Sequence, residues 1–125
     1  MAASSPGIHL PKCRHRALTI AVVELNCSTT PTVNDPSGVL DATTPVSYSA
    51  TGQYTLNLRD DWDAIYPMVQ LVSSTDEEEV QVSAITETAG SQSIELHGLT
   101  AAGAADVLNG EVCKVVLFLG STDDM

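Results

Sequence analysis

Asp60, Asp61 and Asp63 crowd three carboxylates into four residues, and oxygen ligands gathered in a loop are what a hard cation such as Ca²⁺ takes. The glycine turn and distal glutamate of a calcium loop do not accompany them, so a solvated corner is the favoured reading. His9, Cys13 and His15 offer donors to a softer metal, but a tetrahedral site needs a fourth ligand at a recognisable spacing. His97 stands two residues beyond Glu95 on an alternating segment, which fits a sheet-surface position better than a general base. No glycine-flanked nucleophile, P-loop, dinucleotide fingerprint or metalloprotease motif occurs in the sequence. These residues lead away from an enzyme, and neither a metal nor another cofactor is expected.

Cys13, Cys27 and Cys113 are odd in number and irregularly spaced. Cys113 lies within Val112-Cys113-Lys114-Val115-Val116 and reads as a small core-facing thiol of a chain made in a reducing cytoplasm. A disulfide between Cys13 and Cys27 stays open on the sequence alone.

Charge divides the chain in two. Lys12, Arg14 and Arg16 supply three of the five cations, whereas residues 17–125 hold all sixteen carboxylates against Arg59 and Lys114. An arm of +3 thus precedes a body of −14, giving the net −11 of the whole. The acidic body argues against direct nucleic-acid binding, because phosphates would be repelled, and the arm has no aromatic residue to stack on a base. The arm alone could touch phosphate, but an acidic protein surface is at least as good a partner for Lys12, Arg14 and Arg16. Residues 1–16 lack the continuous apolar stretch of a secretory signal, and the apolar runs elsewhere are too short to span a membrane.

The elements that must carry these groups are short strands. Residues 17–25 alternate as a first strand, and 28–45 form a long connection broken by Pro31, Pro36 and Pro45, with a short strand near Val39-Leu40. A connection of that length is a contact candidate, with Val33, Val39 and Leu40 as its apolar residues. Val46–Ala50 and Tyr54–Arg59 flank Thr51-Gly52-Gln53 as a hairpin, with Tyr54, Leu56 and Leu58 on one face. Asp60 to Pro67 is expected to make a corner in which Asp61 caps a short helical turn and Pro67 ends it. Strands follow at 68–72, 80–86, 93–97 and 112–119; the run Asp76 to Glu79 is a solvated turn, and 98–110 a loop with a loose helical turn. Tyr54, Trp62 and Tyr66 fall within thirteen residues and are expected to plug one end of a core. The fold class is all-β: an antiparallel β-sandwich of immunoglobulin-like or jelly-roll type at 17–125, preceded by an extended basic arm at 1–16.

Gly52-x-Tyr54-Thr55-x-x-Leu58-x-Asp60-x-Trp62 resembles a pattern of small β-sandwich proteins in the virions of tailed bacteriophages. Ser93-Ile94-Glu95-Leu96, Ala104-Ala105-Asp106, Gly110, and Val115 to Leu119 with Ser121 extend the likeness over roughly residues 46–121. The resemblance implies a non-enzymatic structural protein that decorates or cements a capsid surface, or alternatively belongs to a tail or tail fibre that attaches to a host. Its expected partners are the major capsid protein or other virion subunits, and further copies of itself, a trimer being favoured. Its expected place is the capsid surface, after synthesis in the host cytoplasm. The basic arm and the Pro-interrupted connection depart from the pattern, and they are the parts expected to grip a neighbour.

Overall fold

The computed structural model describes residues 17–72 and 78–121. Eight strands run in chain order: β1 (Ala17–Asn26), β2 (Thr32–Asn34), β3 (Val46–Ala50), β4 (Gln53–Asn57), β5 (Ala64–Val72), β6 (Glu79–Thr86), β7 (Ser93–Leu99) and β8 (Val112–Ser121). They form two four-stranded antiparallel sheets, ordered β2-β1-β8-β5 and β3-β4-β7-β6, with no helix among the described residues. The expected sandwich is the fold.

Alternation builds the core. Every second residue of a strand points to one face, so Ala21, Val23 and Leu25 of β1 and Cys113, Val115, Leu117 and Leu119 of β8 line the inside of the first sheet. Tyr54 and Leu56 of β4 and Ile94 and Leu96 of β7 meet them from the second, and all eleven are fully buried. The hairpin reads as expected: Tyr54, Leu56 and Leu58 face inward, and β3 pairs with β4.

Two expectations are corrected. The segment after Asp60 makes no helical turn, because Ala64 to Val72 pairs continuously with β8 and Pro67 lies inside that strand instead of ending a helix. Pro67 is tolerated because β5 is the edge of its sheet. Residues 100–111 likewise contain turns but no helical one, and Gly98 belongs to β7. That glycine is needed: a Cβ there would stand 2.6 Å from Asp106 O and 2.7 Å from Leu108 Cδ1. Gly52, at φ +72°, is hemmed in by the same loop, 2.6 Å from Asp106 O and 2.8 Å from Gly98 O by the same measure. The loop lies flat across the two glycines and drives Leu108 into the core, 1% exposed.

The expected contact residues of the long connection serve the chain itself. Val39 and Leu40 are buried in the core, and Val33 packs against it partly buried, so Val39 and Leu40 present no free apolar side chain. Leu40 bridges to Leu58, and the Asp35 carboxylate accepts hydrogen bonds from the backbone N–H groups of Val39 (3.2 Å) and Leu40 (2.9 Å). This carries the chain from β2 across to the second sheet with its backbone donors satisfied.

Candidate functional site

The two outer faces of the sandwich differ in chemistry. On the second sheet, Ser47, Thr55, Glu95 and Ala84 form one cross-strand row, Gln53, His97 and Gln81 another, and Asn57, Ser93 and Thr86 a third. Such a face is at home in water, and its side chains pair locally. Ser83 Oγ donates to Glu95 Oε1 at 3.0 Å, Gln81 Nε2 to Glu79 Oε2 at 3.0 Å, and Asn57 Nδ2 to Ser47 Oγ at 3.2 Å. His97 takes the expected sheet-surface position, with its Nε2 buried and without a hydrogen-bond partner among the described residues.

The first sheet presents the reverse. Ile20, Phe118 and Tyr66 stand abreast on β1, β8 and β5, and Val22, Val116 and Met68 form the next row. Leu18 extends the patch toward the start of β1, and Val72 lies at the far end of β5. Of seven large apolar residues exposed in the described structure, six are on this face; Leu18, Ile20, Tyr66 and Met68 are each more than half exposed. From these exposures and ordinary side-chain areas the patch offers roughly 600 Å² of apolar surface, at or beyond the largest such patch on a typical monomer. Water contact there forgoes roughly 25 cal/mol per Å² of apolar surface. Its charged residues are Glu24 and Lys114, paired at 3.9 Å and opposite each other in the ladder.

One margin of this face is open. On the side away from β8, β1 pairs with β2 only through Glu24, Leu25 and Asn26. No described strand lies along residues 17–23 on that side. Unpaired backbone groups along such an edge are a template for an added strand. Arg16 immediately precedes it in the sequence.

The other candidates resolve differently. Asp60, Asp61 and Asp63 do not converge: Asp60 pairs with Arg59 at 3.4 Å on the surface, and the Asp61 carboxylate accepts the Gly90 N–H at 2.9 Å. The backbone N–H of Asp63 donates to Gly120 O at 2.9 Å. Among the described residues no group of three or more His, Cys, Asp or Glu could hold a metal. Lys12, Arg14 and Arg16, like His9, Cys13 and His15, lie outside the described residues, as do Asp76 and Glu77 of the run Asp76 to Glu79.

Cys27 and Cys113 are both buried free thiols, Cys113 facing the core as expected. Burial pushes the Cys27 thiol up to about 11, with the charge of Glu111 adding to the effect, and pushes Cys113 up to about 12. Neither is an activated nucleophile. The aromatic residues divide as well. Tyr54 is buried 5.1 Å from the Tyr48 ring, and Trp62 packs partly buried against the core, but Tyr66 points outward on the apolar face.

No protein-family model, curated protein or solved structure matches this chain.

Proposed function

We propose that this chain is a non-enzymatic structural subunit of a larger assembly, of the kind that decorates or cements the capsid of a tailed bacteriophage. In this reading it grips its neighbour through the basic arm and the edge of β1 that follows it. The observation that carries the reading is the edge at residues 17–23, along which no strand pairs among the described residues, and which follows the cations Lys12, Arg14 and Arg16 in the sequence. A neighbouring segment that adds along this edge gains main-chain hydrogen bonds, while the three cations favour a partner surface bearing carboxylates. The resemblance over residues 46–121 supplies the virion setting.

Quantitative fractionation tests it. The chain should sediment with intact heads at a high, fixed copy number, and charge reversal at Lys12, Arg14 and Arg16 should reduce occupancy. Low copy number confined to tails moves the chain to the fibre reading. Failure to sediment with any particle overturns the proposal.

A further inference from the structure

We propose that the apolar outer face of the first sheet is a self-association surface, covered by the same face of further copies of this chain. Charge selects the occupant. In a chain of net −11, the rows of this face carry one carboxylate and one ammonium group, Glu24 and Lys114, already paired with each other. Two such faces meet without opposing like charges, so the general acidity of the molecule does not oppose this contact. The basic arm is a poorer fit, because its three cations would find there only the carboxylate that Lys114 already engages.

Area selects the same answer. Roughly 600 Å² of exposed apolar side chain approaches the ~800 Å² that each partner contributes to a standard stable interface. Sheets stack face to face at a spacing of about 10 Å with their side chains interdigitating, and the rows Ile20-Phe118-Tyr66 and Val22-Val116-Met68 are built for that packing. The polar outer face of the second sheet stays hydrated, so the contact uses one side of each sandwich and closes about a symmetry axis.

This inference holds whether or not the arm binds a capsid, and the test uses the purified full chain alone. Sedimentation equilibrium should give a multiple of the 13.1 kDa chain mass at micromolar concentration. Ile20→Glu combined with Met68→Glu should yield a folded monomer, weakening self-association at least ~100-fold, since both positions are already exposed within one chain. Thr55→Glu on the polar face should leave the oligomer intact. Oxidative footprinting gives a second reading without substitution: Met68 should be protected at high protein concentration and exposed on dilution. A wild-type chain that is monomeric across this range, an oligomer that survives the double substitution, Met68 oxidation independent of concentration, or dissociation caused by charge reversal of the arm would overturn the proposal. A monomer that still loads onto particles would overturn it while leaving the proposed function standing.

Discussion

Gln92 holds the backbone of Trp62 with both ends of its amide: Oε1 accepts the Trp62 N–H at 2.7 Å, and Nε2 donates to the Trp62 carbonyl at 2.8 Å. Gln92 is 5% exposed, so these bonds replace water that its amide cannot reach. They join the turn before β7 to the corner before β5, at the end of the sandwich where β5 begins.

Gln92→Leu should therefore leave two backbone groups without partners and cost about 2–4 kcal/mol, the expense of orphaning buried polar groups. Urea denaturation measures the loss. Gln92→Glu keeps the acceptor but loses the donor, and should fall between wild type and Gln92→Leu.

Tyr54 fastens the opposite end. Its buried hydroxyl lies 2.5 Å from the carbonyl of Val107 and 3.2 Å from that of Ser28, donating to the loops that flank β1 and β8. Tyr54→Phe should destabilise the fold by about 1–1.5 kcal/mol, the usual net worth of an intramolecular hydrogen bond, with the β-sheet circular dichroism unchanged.

Stability should decline at alkaline pH. Burial raises the ionisation of Tyr54, Cys27 and Cys113 above their ordinary values of 10.0, 9.0 and 9.0, so above about pH 9 the unfolded chain gives up protons first. The stabilisation from keeping the thiols neutral is complete below pH 9 and disappears as pH rises through about 11 for Cys27 and about 12 for Cys113. Cys113→Ala should flatten part of this decline in a plot of melting temperature against pH, although the cavity lowers the whole curve.

Gly52→Ala and Gly98→Ala should each destabilise by about 1–3 kcal/mol or more, the first through its positive φ and both through collision with the Asp106 carbonyl. Hydrogen exchange should locate the damage at 105–108, where the Asp106 N–H donates to Gly98 O at 3.0 Å.

Charge reversal at Lys12, Arg14 and Arg16 should leave the melting temperature within about 2 °C of wild type, because the core is built from strands that begin only at Ala17. Particle binding should instead weaken, and raised salt should diminish the difference between the two proteins.

The alternating strands were legible because one face of each is buried: β1, β4, β7 and β8 declare themselves through Val23, Leu56, Ile94 and Leu117. The corner was misread because Asp61 and Pro67 carry helix-boundary signals, whereas pairing with β8 decides the local structure. Leu108 went unnoticed because a lone leucine among alanines and glycines has no period; what buries it is the approach permitted by Gly52 and Gly98. In β6 the register shifts between Val82 and Ala84, so Ala84 rather than Ser83 pairs with Glu95, which breaks simple alternation. The apolar face was visible in Leu18, Ile20 and Val22 only as a hydrophobic run. Its exposure became evident only when β8 placed Phe118 and Val116 between β1 and β5, a long-range pairing that local spacing does not encode.

Ala17 pairs with Ser121 at one end of β8, and the loop that contains the turn from Thr100 to Gly103 leads into the other at Val112. Ten residues of strand make a spacer of about 30 Å between them. Gly103 has open space where a side chain would begin. A peptide grafted there would be carried about one strand length away from Ala17, at the end of the sheet where β8 begins.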